Sequence, residues 1–469
     1  MAIKSKEQSV EIFEKTPVKR AVLLQILPSV LAQMIALIYN FADTYFVGLL
    51  NAPAQTAGVS VVYAPYMSLG IVANLFGVGG AAALAASLGK EDSDGAKKIS
   101  SITVWFGAAA SILYAVVFFL LRQPVLTLAG ATEETYAVAS EYAFWALIVG
   151  GPVAIINQIF AQLIRAEGRG FLASFGLSFG GVLNIILDPF FVLPRFLNYG
   201  AVGAGMATAL SNGAALLFYL GYLVVKRKDT YVVPSLVYLR YTKKYIGRIL
   251  KVGLPSCLQI VLTVFATGAH IKFVSRYSTE AVAAFGICKR LDQLPTYFAI
   301  GVSNGLLPLL AYNYARRNEP RRRSAFRFGV GISCSFAVLC LVLYEIFPRV
   351  LVGCFISDAT TLDYGAAFLK RMVVAMPFMA AGYPMIVQFQ AMGKVKEALI
   401  GSIMRKGALD LPLLFLLDYL SPLYGITWVQ PIVDVAALTV STVLYLLVCR
   451  REKALSLSYP DSSEITPKS

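Results

Sequence analysis

The stretch Val22–Val47, VLLQILPSVLAQMIALIYNFADTYFV, decides the fold class. It is apolar over more than the roughly 20 residues that an α-helix needs to cross a bilayer. It nonetheless carries a proline, Pro28, near one end and a carboxylate, Asp43, near the other. An ionisable side chain inside such a segment costs about 2.5–3.5 kcal/mol and is a functional-site candidate by default. The other helices are therefore expected to give Asp43 partners and a second state.

Apolar runs of similar length fill the rest of the chain. Its 469 residues are 58% hydrophobic and only 14% charged, with a mean hydropathy of +0.69. Soluble domains carry about 25% charged residues, so the class is a polytopic, all-α membrane protein. The net charge of +15 does not indicate nucleic acid, because the basic residues form short clusters between apolar runs, as cytoplasmic loops do. One histidine, no HExxH and no GxSxG leave little catalytic apparatus, and an enzyme is not expected. The six cysteines show no CxxC spacing, which predicts neither a disulfide framework nor a metal site. Met1–Arg20 lacks the apolar core of a signal peptide.

Twelve spans are expected: Val22–Val47, Ala54–Leu88, Ile99–Leu121, Thr135–Ile164, Phe171–Leu193, Val202–Val225, Ile249–Val274, Ala281–Tyr312, Phe328–Phe347, Ala366–Met392, Ala398–Leu417 and Tyr424–Val448. The longest polar connection, 226–248, reads as a cytoplasmic linker between a bundle over 21–225 and another over 249–449. Residues 1–20 and 450–469 then form a cytoplasmic N-terminal segment and tail. Lys and Arg gather at alternate span ends, placing both termini inside.

The halves repeat. Leu27-Pro28-Ser29 recurs as Leu254-Pro255-Ser256, and the same shift of 227 aligns Phe46-Val47 with Phe273-Val274. Further on, Pro152 matches Pro377, and Arg165-Ala166-Glu167-Gly168 matches Gln390-Ala391-Met392-Gly393. An even number of spans per half makes the repeats parallel, a pattern of transporters that alternate access around a central site. The register sets His270 opposite Asp43.

Tyr39 and Asp43 are four apart, as are Asn184 and Asp188, so each pair shares a helix face. At about 1.5 Å per residue, Asp43 and Asp188 lie roughly 30 and roughly 27 Å along their spans, at similar height. Thr208 enters the same region from outside, and Asn157 lies somewhat deeper. Two carboxylates in a poorly hydrated pocket cannot both stay ionised cheaply. The set suits a proton, or Na⁺ held by Asp43, Asp188, Asn184 and Thr208. In the second half, Arg290 and Asp292 suggest a buried pair or gate, and His270 a pH-responsive group. Asp410, Asp418 and Asp434 lie nearer span ends and are expected to be solvated.

These residues resemble a known family, the MATE (multidrug and toxic compound extrusion) transporters. The resemblance rests on LPSVLAQMIALIYNFADTYFVG, GVGGAAALAASLGKED, RAEGR, GGVLNIILDPFFV, GAVGAGMATAL and GLLPLLAYNYAR, and spans about Glu11 to Val448. YNFADTYFVG and LNIILDP look most like the DinF-like and MepA-like bacterial branches. The resemblance implies two six-helix bundles forming a V-shaped cleft, and cation-coupled antiport of cationic or amphipathic drugs. It implies a coupling site at Tyr39, Asp43, Asn184, Asp188 and Thr208, with Asn157 near the substrate cavity and Pro28 at a helix bend. Another branch keeps acidic cation ligands in the seventh and tenth spans, which here contain none. The expectation is therefore asymmetric: the first half couples to H⁺ or Na⁺, and the second completes the cleft. The transporter is expected as a monomer in the bacterial cytoplasmic membrane, without cofactor or nucleic acid. A lipid-linked precursor flippase is the competing function, but it calls for a more cationic cavity than these acidic residues offer.

Overall fold

The computed structural model describes residues 11–50 and 52–458, and these are helical, with no strand among them. The remaining residues of the expected N-terminal segment and tail lie outside the described residues. Helices α1 (Val18–Gly48), α2 (Pro53–Gly89), α3 (Ser93–Leu120), α4 (Glu133–Ala166), α5 (Gly170–Val192) and α6 (Gly200–Val225) form the first half. The second half holds α7 (Thr242–Val274), α8 (Thr279–Ala315), α9 (Glu319–Ile346), α10 (Ala359–Val373 and Met376–Ala391, bent by 49°), α11 (residues 395–420) and α12 (Tyr424–Ser458). Ten of these are long and apolar enough to cross a membrane, and the bent α10 makes an eleventh. α11 is not among them: a turn at Leu409, after the π-helical residues Met404–Ala408, interrupts it, and it carries Arg405, Lys406, Asp410 and Asp418.

Pro28 sits inside α1 without ending it, and Pro255 does the same in α7. Two boundaries depart from expectation. α12 continues past Val448 to Ser458, and α7 begins at Thr242, inside the expected linker. Nor is the rest of that linker loose. Ser101 Oγ donates to the Val233 and Ser235 carbonyls at 2.6 and 2.8 Å, and Ser100 Oγ to that of Tyr231 at 2.8 Å. The Glu167 carboxylate accepts from the Tyr231 amide at 2.7 Å and from the Thr230 hydroxyl at 2.9 Å. The RAEGR motif thus straps the connection onto the first half.

The halves meet through equivalent pairs, α1 with α8 and α2 with α7. Glycine makes both contacts possible. A Cβ on Gly253 would lie 1.9 Å from the Leu75 carbonyl oxygen, and one on Gly79 would lie 2.1 Å from that of Ile249. On α8, a Cβ on Gly305 would lie 2.7 Å from the Gln25 carbonyl oxygen. Only bare backbone fits there, which is how helices pack closely without a hydrophobic drive from surrounding lipid.

These contacts lie toward the end where α1 begins. There one hydrophobic core joins the first half to Ile249, Val252, Leu306, Leu310, Phe326 and Phe389 of the second. A separate core, with Phe285, Phe368, Leu414 and Val429, belongs to the second half toward the opposite end. The halves are therefore fused at one end and have their own cores at the other. A polar latch reinforces the fused end: Arg316 pairs with Glu14 at 3.0 Å and with Glu91, while Arg321 Nε donates to the Phe13 carbonyl at 2.6 Å.

Gly253→Val should force α2 and α7 apart and cost about 1–3 kcal/mol as overpacking. Its melting temperature in detergent should fall clearly, whereas Gly221→Ala, with nothing within 4 Å, should leave it unchanged or slightly raised. Equal melting for the two variants would remove the glycine contact as the joint between halves.

Candidate cation-coupling site

α1 and α5 pack along each other, and α4 and α6 close the same region of the first half. Asp43, Asp188, Asn184, Thr208 and Asn157 are all buried there, with Asp188 at 0% exposure. Asp43 faces Asp188 and the hydroxyl of Tyr142 on α4. Asn184 Nδ2 lies 3.3 Å from both Asp188 Oδ1 and Thr208 Oγ1, tying α5 to α6. Thr208 Oγ1 in turn donates to the Ala204 carbonyl at 3.0 Å. Asn157 stands aside from this set, its Nδ2 donating to the Asn212 carbonyl at 2.9 Å. Tyr39 packs against Gly181, where a Cβ would sit 3.2 Å from its ring, and its hydroxyl lies 3.4 Å from that of Tyr66.

Three oxygens of this set, Asp43 Oδ1, Asp188 Oδ2 and Asn184 Oδ1, are buried and accept no hydrogen bond within the protein, and the same holds for Asn157 Oδ1 to one side. Acceptors gathered without donors are costly in a low-dielectric interior. A proton on the carboxylate pair supplies a donor, and a hard cation such as Na⁺ fits oxygen ligands of this kind. No three His, Cys, Asp or Glu side chains converge on a metal-sized site among the described residues.

Tyr142 was not singled out by sequence, nor was a seam of tyrosines between the halves. Tyr297 of α8 faces Tyr39, Tyr63 and Tyr383, and Tyr63 accepts from Gln293 Nε2 at 2.8 Å. With 25 tyrosines in the chain, residue type alone carries no signal for these. Tyr142 is followed directly by a π-helical segment, Phe144–Val149, a device found often at functional sites.

In the second half, two expectations fail. No ion pair joins Arg290 to Asp292 among the described residues: Arg290 is exposed, and Asp292 faces Lys289 and Lys406 instead. Asp410 and Asp434 are not solvated but buried. Asp410 Oδ1 lies 3.4 Å from His270 Nε2, and Asp434 Oδ1 lies 3.3 Å from Arg405 Nε. Asp418 is half-buried, accepting from the Tyr277 hydroxyl at 2.6 Å. Asp410 opens the second segment of α11 and meets His270 of α7, and Asp434 of α12 meets Arg405, so both are covered by neighbouring helices.

Asn184→Ala removes the donor shared by Asp188 and Thr208 and should cost about 1–3 kcal/mol, read as a lower melting temperature. Exchanging choline chloride for NaCl at equal ionic strength should separate the two ions. Bound Na⁺ stabilises the wild type through mass action and leaves Asp188→Asn unmoved; a site that takes only protons shows no shift in either.

The family profile described as MatE matches this chain twice, over residues 28–190 and 255–416. Their starts differ by the same 227 residues that separate Pro28 from Pro255. The multidrug export protein MepA of Staphylococcus aureus is 30% identical over 446 residues, covering 94% of this chain and 97% of that protein. The MepA of Staphylococcus saprophyticus is 29% identical over 447 residues, with the same coverage. Among solved structures, an outward-facing multidrug resistance MATE transporter superposes with a TM-score of 0.87 at 24% identity, over 96% of this chain and 99% of that one. A transporter of the MOP superfamily from Pyrococcus furiosus gives 0.87 at 23% identity, with the same coverage. On the two profile matches and the near full-length relatives, this chain belongs to the MatE family of membrane transporters.

Proposed function

We propose that this protein exports organic cations and amphipathic drugs from a bacterial cytoplasmic membrane by antiport against H⁺ or Na⁺. The coupling ion binds at Asp43 and Asp188. The observation that carries this reading is the set of three buried acceptor oxygens on Asp43, Asp188 and Asn184 that accept no hydrogen bond within the protein, beside Tyr39. The MepA relatives, multidrug export proteins by name, support the substrate class.

When an ion from outside neutralises the pair, α1 and α5 can draw together. When the pair is ionised, the like charges favour an expanded, hydrated pocket. An ion shifts the two states only through its different affinity for them. The fused end, with its latch of Glu14, Glu91 and Arg316, is then the cytoplasmic gate, and both termini are cytoplasmic. The half-exposed rings of Tyr39, Tyr66 and Tyr297 offer π faces to a cation and flat surface to an apolar body. The protein acts as a monomer in this scheme, each chain holding its own site.

Asp43→Asn should abolish ion-driven ethidium efflux from proteoliposomes at normal folding and expression. Efflux retained at the wild-type rate would sink the coupling role. Tyr297→Ala should weaken ethidium affinity by a factor on the order of 2–30, the equivalent of about 0.5–2 kcal/mol for a lost cation–π contact, while Tyr297→Phe should keep it.

A further inference from the structure

The second half has its own buried titratable pair, built on the helices that correspond to those of the first. The repeat sets His270 of α7 at the position of Asp43 on α1. His270 meets Asp410 on α11, as Asp43 meets Asp188 on α5. His270 Nδ1 lies 2.8 Å from the Ala266 carbonyl oxygen, so this nitrogen carries hydrogen and donates. Nε2 then faces Asp410 Oδ1 across 3.4 Å, and neither atom has a hydrogen-bond partner otherwise; Asp410 Oδ2 has none either. His270 is 3% exposed and Asp410 0%. An unprotonated Nε2 opposite an ionised carboxylate would set two lone pairs against each other, out of water. One proton between them removes the conflict, whether it resides on nitrogen or on oxygen.

We propose that His270 and Asp410 form a second proton-carrying site, holding one proton in one state of the transporter and releasing it in another.

The surroundings favour exchange as well as holding. From α8, Lys289 faces the pair and the Phe285 ring stacks on His270 with centroids 6.0 Å apart. Asp292 of the same helix faces Lys289. From α11, Lys406 stands four residues before Asp410 and faces both members. From α12, Asp434 faces Asp410 but is tied to Arg405 at 3.3 Å and to Gln430 Nε2 at 2.9 Å. Gln430 Oε1 also accepts from Lys406 Nζ at 2.6 Å. With Asp434 balanced by Arg405 and Asp292 by Lys289, one positive charge, that of Lys406, remains to stabilise Asp410 as a free carboxylate once the proton leaves. The proton is therefore held by its hydrogen bond, and the neighbouring ammonium group favours its release by stabilising the carboxylate left behind. The first-half pair has no lysine or arginine among the groups found facing it.

The sole histidine makes the test direct. The full chain, carrying an affinity tag free of histidine, is labelled with ¹⁵N-histidine and reconstituted in nanodiscs, so one pair of ring-nitrogen signals reports the site. In the wild type, Nε2 should resonate as a hydrogen-bonded nitrogen and move once between about pH 5 and about pH 9 as the pair loses its proton. Asp410→Leu should shift it to the value of an unbonded nitrogen. A wild-type signal constant across that range, or one unmoved by Asp410→Leu, overturns the proposal. A transport arm rests on the export reading given above: protons moved per ethidium in proteoliposomes should fall by one in His270→Gln and in Asp410→Asn. An unchanged ratio overturns the carrying role. Absence of ethidium transport by the wild type would instead overturn the export reading, leaving the nitrogen signals to decide the pair.

Discussion

A carboxylate inside a helical bundle in lipid has no water to solvate it, so it persists only where the protein gives it partners or an ion does. Asp43 and Asp188 sit under that constraint together, each facing the other. Much of the first half is arranged around them. α5 brings Asn184 one turn before Asp188, α6 brings Thr208 to the same amide, and α4 turns Tyr142 toward Asp43 just ahead of a π-helical segment. Acceptors still outnumber donors there: Asp43 Oδ1, Asp188 Oδ2 and Asn184 Oδ1 have no donor within the protein.

The second constraint is how the two halves touch. Backbone meets backbone at Gly79, Gly253 and Gly305, positions where a methyl group would overlap a carbonyl oxygen. That places a rigid joint at one end of the molecule and leaves the other end to two separate cores. Close packing of this sort has few intermediate arrangements. The latch through Arg316 and Arg321 adds polar closure at the same end. Its exposed ion pairs contribute little energy individually and are easily broken.

The two half-sites share a plan but differ in chemistry. In one, two carboxylates face each other without a cation. In the other, an imidazole and a carboxylate lie among lysines and an arginine. Two polar centres of different charge thus lie on equivalent helices of the two halves.

Sequence alone determined the membrane class, the two-fold repeat and the membership of Tyr39, Asp43, Asn184, Asp188 and Thr208 in one region. Hydropathy, helical spacing and a constant offset are properties of the chain's local order, and they survive without coordinates. Only the tertiary structure decided what faces what. Arg290 and Asp292, two apart, project in different directions from one helix, so proximity in sequence did not make them partners. Asp410, near the end of its expected span, opens the second segment of α11 and meets a histidine 140 residues earlier in the chain. Tyr142 and the tyrosine seam depend on which helix faces cross, and residue type among 25 tyrosines could not select them. Long-range pairing is set by how helices pack, and packing is a property of the whole fold.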